Sequence, residues 1–168
     1  LWLLAPSSCA YVKFETIARE SGRLIDDDGD AVPQLFSRSR RSVAFMHFPF
    51  ADIEAGGSVD ALLKRYRAIL DSCAASDSIC IIGGQQPVNA LSEAATERQL
   101  ELERRASAAF GRNYLPLYRH FQSESDVRRL MIPLDSGDGR FVNDFGHDLL
   151  YKLYRQRLIE LTKVQNQR

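Results

Sequence analysis

The sequence predicts an α/β domain in which helices cover both faces of a parallel sheet, a three-layer α/β/α sandwich. Short apolar stretches rich in β-branched, aromatic or leucine residues recur along the chain, as in strands that are buried on both faces. Longer segments with the apolar spacing of an amphipathic helix lie between them. Because alternating strands and helices form right-handed βαβ units, we expect a parallel sheet of about five strands.

Four stretches have the composition of buried strands, and three segments have helical periodicity. The predicted strands are residues 1–5, 42–48, 78–84 and 113–118. The first helix follows Ser58, which is suited to the N-cap. Its apolar stripe consists of Val59, Leu62, Leu63, Tyr66, Ile69, Leu70 and Cys73.

The second and third helices have their own end signals. The second is predicted over residues 92–110 and ends at Gly111, because glycine accepts the left-handed conformation that commonly follows a helix. Asn143 is suited to cap the third helix. The predicted apolar face of this helix consists of Phe145, Leu149, Leu150, Leu153, Tyr154, Leu158 and Leu161.

The composition fits one domain and argues against several classes of partner. With 168 residues the chain can bury a core, so we expect a single domain over residues 1–168 and leave open that the natural N-terminus lies upstream. Basic and acidic residues number 22 each, so the net charge indicates neither nucleic acid nor an anionic membrane as a partner. We also find no apolar run long enough to span a bilayer.

Cysteine usage bears on the compartment. Cys9, Cys73 and Cys80 are an odd number without dense spacing, so we expect no disulfide framework. This favours reducing surroundings such as the cytoplasm, and the sequence otherwise leaves the compartment open. The oligomeric state is left open as well.

The loops that follow the predicted strands are where a site is expected, because open parallel sheets bind ligands at the carboxyl ends of their strands. The first of these loops contains Ser7, Ser8 and Cys9. The next two have the sequences HFPFAD and GGQQP. The acidic, glycine-rich segment DSGDGR, residues 135–140, precedes the last helix.

These loops resemble the four short sequence blocks of the SGNH (GDSL-like) hydrolases, in the same order and over nearly the whole chain. Ser7 follows Ala5 and Pro6 where that family has Gly-Asp-Ser, and Gly29 stands where the second block has its glycine. Residues 49–52 (Pro-Phe-Ala-Asp) take the place of Gly-x-Asn-Asp. The last block, Asp-Gly-x-His-x-Asn-x-x-Gly, is matched by Asp138, Gly139, Asn143 and Gly146.

The resemblance implies a flavodoxin-like sheet and an acyl-transfer site that needs no cofactor. In such enzymes the serine attacks an acyl carbon, a histidine is the general base, and an aspartate orients the histidine. Carried over to this chain, the family pattern makes Ser7 the nucleophile. The backbone amides of Ser7 and Gly29 then stabilise the oxyanion.

Three of the four blocks depart from the family pattern. Phe141 stands where the last block has its histidine, three residues after Asp138. Ala51 replaces the asparagine of the third block, an oxyanion donor worth on the order of 10²–10³ in rate. Pro6 replaces the acidic residue of the first block. These departures leave open whether the chain is catalytic.

A second register of the last block restores a histidine. Asp144 and His147 form another Asp-x-x-His pair, and under this reading the last helix would begin near Asp148 rather than after Asn143. The alternative reading makes His147 a solvated or capping residue on the first helical turn.

A second register of the first block offers a different nucleophile. Ser7, Ser8 and Cys9 resemble the Gly-Ser-Cys openings of divergent SGNH relatives associated with capsule and polysaccharide biosynthesis, which places Cys9 at the nucleophile position. The alternatives are that Cys9 is a small buried side chain and that Ser7 is only an N-cap.

Other polar residues are expected to be structural. We expect His47 to be hydrogen-bonded in a tight strand, and His120 to lie in a solvent-exposed polar connection. Gln85 and Gln86 could present amides to a ligand, but they are more typical of a turn before a proline. The aspartates within residues 26–30 lack the spacing of metal ligands, so we expect no metal site.

The sequence therefore predicts an SGNH-like ester hydrolase or O-acyltransferase acting on a small O-acyl ester, including an ester of a carbohydrate. Ser7 or Cys9 would attack, and His147, oriented by Asp144, would accept the proton. The alternative is a catalytically inactive SGNH-like domain that serves as a binding or accessory module. A nucleotide binder is disfavoured, because the first loop lacks a glycine-rich phosphate cradle.

Overall fold

Parallel strands alternate with helices in the computed structural model, which describes residues 43–47 and 50–165. The predicted α/β class is confirmed. The first predicted strand, Ser7, Cys9 and Gly29 lie outside the described residues.

The described residues form a three-stranded sheet of β1 (Val43–His47), β2 (Ile79–Gly83) and β3 (Tyr114–Leu115). All pairings are parallel, and β2 is the central strand. The prediction of strands over 42–48 and 78–84 is confirmed. The strand predicted over 113–118 is much shorter, since Pro116 has no N–H to donate to a ladder.

Helices connect and follow the strands. Two single-turn 3-10 helices cover Gly111–Asn113 and Ile132–Leu134. The α-helices of the described residues are α1 (Phe50–Glu54), α2 (Val59–Ala75), α3 (Glu93–Phe110), α4 (Tyr118–Phe121) and α5 (Asp144–Gln165).

The helix ends follow the residues that predicted them. Ser58 Oγ accepts a hydrogen bond from the amide of Ala61 at 3.4 Å at the start of α2. Ser92 makes the same contact with the amide of Ala95 at 3.2 Å at the start of α3. Gly111 ends α3 with a φ of +51°. Each side-chain cap satisfies an amide that the helix leaves without a partner, which is worth about 1 kcal/mol.

The sheet is buried between helices on both faces. Cys80 and Ile82 of β2 pack into a cluster with α2 and α3, whereas Ile81 packs into a second cluster with α5. Adjacent residues of a strand point to opposite faces, so this alternation places helices on both sides of β2. A fully buried leucine or isoleucine contributes about 1.5–3 kcal/mol, and Leu62 and Ile81 are completely buried.

A disulfide joins Cys73 at the end of α2 to Cys80 in β2. The expectation that cysteines form no disulfide is therefore wrong for this pair. The two residues are seven positions apart, and the short turn between them, with Asp77 at a φ of +53°, returns the chain so that their Cα atoms are 6.3 Å apart. Both side chains are buried, and such a bond is more typical of oxidising than of reducing surroundings.

The last helix begins where Asn143 predicts it to begin. The Oδ1 atom of Asn143 accepts a hydrogen bond from the amide of Gly146 at 3.1 Å, and α5 starts at Asp144. A start near Asp148 is therefore wrong. Phe145 was expected on the apolar face of this helix, but it is 75% exposed, because it lies on the first turn beyond the edge of the core.

The segment around His120 is a helix rather than a polar connection. Tyr118 and Phe121 are buried in α4, and His120 between them is half-buried. The expectation of a polar connection here is therefore wrong, because two large aromatic side chains anchor the turn to the core, although the half-buried His120 still reaches solvent.

Candidate functional site

The carboxyl ends of the described strands lie level at one edge of the sheet. The register pairs His47 of β1 with Gly83 of β2, and Gly83 with Leu115 of β3. The chain continues from these ends into α1, the loop 84–92 and α4. These segments are therefore the ones that a ligand at the carboxyl edge would meet.

The loop 135–143 reaches the same edge and is held there by its backbone carbonyl groups. The amide of Asn89 donates to the carbonyl oxygen of Gly139 at 2.7 Å. Gln86 Nε2 donates to the carbonyl oxygen of Arg140 at 2.9 Å. The loop after β2 and the loop before α5 therefore meet, and both are loops in which the sequence predicts a site.

An ion pair connects the loop 135–143 to α1. The guanidinium of Arg140 lies 2.5 Å from the carboxylate of Glu54, and both side chains are more than a third exposed. A pair of this exposure adds little stability. The ion pair shows, however, that α1 lies next to the loop 135–143, which in turn contacts the loop after β2.

The carboxylate of Asp138 organises its own loop. It accepts hydrogen bonds from the amides of Arg140 at 2.8 Å and Phe141 at 2.9 Å, and from the Ser136 hydroxyl at 2.9 Å. These bonds hold the pKa of Asp138 below its usual range. At the position where the resemblance has its catalytic aspartate, this chain has a carboxylate engaged in a turn.

Asp144 and His147 lie on the first turn of α5, and both are exposed. The amide of His147 donates to the carbonyl oxygen of Asn143 at 2.9 Å, so the backbone there is helical. A spacing of three residues places the two side chains on one side of the helix. Phe141, at the family's histidine position, is 61% exposed and supplies no proton acceptor. The catalytic assignment of Asp144 and His147 stays a prediction.

The third block lies in α1. Ala51 is half-buried and offers a methyl group where the family has an amide donor. Asp52 is completely buried beneath this turn. Burial raises the pKa of Tyr66 in α2 well above its ordinary value, and the nearby charge of Asp52 adds to that rise.

A partly buried carboxyl group that the sequence pattern does not indicate lies beside the end of β2. Glu103 in α3 accepts hydrogen bonds from the hydroxyl of Tyr114 and from the amide of Tyr118, the latter at 3.1 Å. Burial raises the pKa of Glu103 to about 7, although both hydrogen bonds and the charge of Arg119 oppose the rise. A Cβ at Gly84 would collide with Glu103 Oε2 and the Tyr114 hydroxyl, so a larger residue there would displace this pair.

A buried glutamine of α3 supports the loop after β2. Gln99 is 4% exposed, and its Nε2 donates to the carbonyl oxygen of Gln86 at 2.8 Å. Because Gln86 in turn donates to Arg140, a chain of two hydrogen bonds joins α3 to the loop before α5. Gln99 and Glu103 are four residues apart on the stripe that contains Ala95, Leu102 and Ala106. Polar residues on an otherwise apolar helical stripe are the signal that could have identified them.

Histidine and metal chemistry is limited in the described part of the chain. His47 ends β1, and burial, with the charge of Arg119, lowers the pKa of His120 below its ordinary value.

Within residues 43–47 and 50–165, no group of three or more His, Cys, Asp or Glu residues could hold a metal ion. Over the same residues, no helix has both the length and the apolar character needed to cross a bilayer.

The fold is similar to that of a solved structure. A proposed acylhydrolase from Bacteroides fragilis matches with a TM-score of 0.61 and 18% sequence identity, over 79% of this chain and 72% of that chain. No protein-family model matches the chain, and no curated protein matches its sequence. At this identity the likeness shows a hydrolase-like α/β fold, and a fold by itself does not determine an activity.

Proposed function

We propose that this chain is a single SGNH-like domain that hydrolyses or transfers a small O-acyl group, with a carbohydrate ester among its substrates. The proposal combines the sequence blocks with the loops at the carboxyl edge. It requires no cofactor, because acyl transfer proceeds through a covalent ester or thioester of the protein.

In the proposed reaction, Ser7 or Cys9 attacks the acyl carbon and His147 takes the proton of the nucleophile. Asp144 orients the imidazole, and the amides of Ser7 and Gly29 stabilise the oxyanion. His147 then returns the proton to the departing alkoxide. Water completes hydrolysis of the acyl-enzyme, or a second alcohol completes transfer.

The observation that carries the proposal is the meeting of two loops through main-chain oxygens. Gly139 and Arg140 accept hydrogen bonds from Asn89 and Gln86, so the segment that resembles the last SGNH block lies beside the loop after β2. The carboxyl edge of a parallel sheet is the usual ligand site of such folds. The similarity of the fold to a proposed acylhydrolase supports the same reading.

A second candidate function is an inactive SGNH-like module that binds an ester or a partner without turning it over. Two features favour it. Phe141 supplies no base at the family position, and Oδ1 of Asp138 is engaged by its own loop. Without a general base, acyl transfer typically falls by several orders of magnitude.

The test combines active-site labelling with turnover of p-nitrophenyl acetate. A fluorophosphonate probe reports an activated serine, and iodoacetamide reports a reactive thiol. The variants are Ser7→Ala, Cys9→Ala and His147→Ala, with His120→Ala as a matched histidine control in α4.

We expect the nucleophile variant to lose labelling and at least about 10³-fold in turnover, and His147→Ala to lose about 10²–10⁴-fold. His120→Ala should keep the wild-type rate. Turnover that survives all three site substitutions would contradict the enzymatic assignment. A wild-type protein that is neither labelled nor active would favour the inactive module.

A further inference from the structure

A small pocket lies between α1, α3 and the loop after β2. Its lining side chains are Ile53, Gln85, Gln99, Leu102 and Glu103. Its size suits about one water-sized molecule. Three of its five lining residues carry polar atoms, which is unusual for a cavity within an apolar helix interface.

Two residues of the pocket lining, Gln85 and Gln99, each have a buried amide oxygen without a partner. The Oε1 atoms of Gln85 and Gln99 are inaccessible to solvent and have no hydrogen-bond partner among the described residues. Gln99 cannot turn its amide over without cost, because its Nε2 donates to the carbonyl oxygen of Gln86 at 2.8 Å. Buried amide oxygens are nearly always hydrogen-bonded in folded proteins, so each of these atoms calls for a donor.

We propose that the pocket binds a single water molecule, which donates one hydrogen bond to Gln85 Oε1 and the other to Gln99 Oε1. Water has two donor hydrogens, and two of the lining residues have a buried amide oxygen without a hydrogen-bond partner. Glu103 also lines the pocket, and a third bond to its side chain would match the usual count for a buried water.

The water would connect a rigid helix to a loop of the candidate site. Gln99 belongs to α3, whereas Gln85 precedes Gln86, the residue that holds the carbonyl oxygen of Arg140. The bound molecule would therefore add a second link between α3 and the loop after β2, next to the direct bond from Gln99 to Gln86. This inference does not depend on the proposed activity.

Two measurements test the proposal on the full chain. The first is a crystal structure of the wild-type protein. We expect one density peak within about 3.2 Å of both Gln85 Oε1 and Gln99 Oε1. A dry pocket, a peak that contacts neither oxygen, or a cation at the position would overturn the proposal.

The second measurement is the melting temperature of Gln85→Met, which removes one acceptor at nearly constant volume. We expect a fall of about 2–4 °C, because a water-bonded amide is lost. If Gln85 Oε1 has no donor in the wild type, the same change removes an unsatisfied group and the melting temperature rises, which would contradict the proposal. Gln122→Met is the control, since Gln122 is equally half-buried and does not line the pocket. If Gln85→Met fails to fold, the wild-type density decides alone.

Discussion

At the amino-terminal end of β2, Cys80 is covalently linked to Cys73, and both side chains are buried in an apolar cluster. At the carboxyl-terminal end, Gly84 lies against the carboxyl group of Glu103 and the hydroxyl of Tyr114. One strand thus runs from a crosslinked apolar end to an end that is held by hydrogen bonds between polar side chains.

The two ends differ in how they depend on their neighbours. Apolar packing stabilises in proportion to the area removed from water, whereas a buried polar group stabilises only while its partners stay in place. Stability alone is therefore a poor reason for a protein to keep a group of polar side chains in which one carboxyl has a shifted pKa. Such groups concentrate at functional sites. The position of Glu103 beside the carboxyl edge agrees with that tendency.

The largest expected effect tests the polar end. Burial raises the pKa of Glu103 from 4.5 to about 7, so the folded protein binds this proton more tightly than the unfolded chain. The protonated Glu103 therefore stabilises the folded protein fully below about pH 4.5, and this stabilisation is lost as the pH rises through about 7. Glu103→Gln does not titrate, so at pH 8 we expect its free energy of unfolding to exceed that of the wild type by about 3 kcal/mol.

Urea unfolding between pH 4.5 and 8 measures this difference. Glu101→Gln is the control, since Glu101 lies on the same helix but is exposed, and its profile should follow the wild type. Parallel profiles for Glu103→Gln and the wild type would mean that Glu103 is ionised in the folded protein across this range.

The next effect tests the crosslinked end. Replacing Cys73 and Cys80 together by alanine removes a short covalent loop, which should lower the free energy of unfolding by about 2.5 kcal/mol. Urea unfolding with and without a reductant measures it. The reductant should destabilise the wild type and leave the double variant unchanged, and equal sensitivity of the two proteins would contradict the assignment of the disulfide.

A third effect returns to the carboxyl edge, at Gly139. This residue has a φ of +68°, and a Cβ there would collide with the side chain of Asn89. Gly139→Ala should therefore lower the free energy of unfolding by about 2 kcal/mol, from backbone strain and from overpacking. Gly56→Ala is the control, because Gly56 has a φ of +80° and open space around it. Equal losses in thermal melts would show that the contact with Asn89 is unimportant.

The smallest effect concerns the ion pair between Arg140 and Glu54. Both side chains are more than a third exposed, so a double-mutant cycle to alanine should give a coupling of about 0.2–1 kcal/mol. The coupling should shrink in 1 M salt. A coupling above about 2 kcal/mol would place this pair in a far drier environment than its exposure indicates.

Local signals predicted most of the described fold. Ser58, Asn143 and Gly111 mark helix ends by their own backbone and side-chain chemistry, and the structure places the ends there. The strand predicted over 113–118 is too long, because the apolar pattern continues into α4. There, Tyr118 and Phe121 are buried as part of a helical turn and not of a strand. Short apolar runs do not distinguish a strand from a buried turn of helix.

The candidate site was harder to predict, because it depends on distances across the fold. The carboxyl edge followed from strand order, and its loops meet as expected. Glu103 was missed since one acidic residue on a helix is usually solvated, and its partners, the Tyr114 hydroxyl and the Tyr118 amide, are distant in sequence. The disulfide was missed because an odd number of cysteines says nothing about which two side chains come together.

The loop before α5 is tethered by the main-chain oxygens of Gly139 and Arg140, and not by the side chain of Phe141. Substitutions at Phe141 can consequently alter what the edge recognises while the course of the loop is preserved. Under the proposed function, this makes position 141 a suitable starting point for saturation libraries screened for altered ester selectivity.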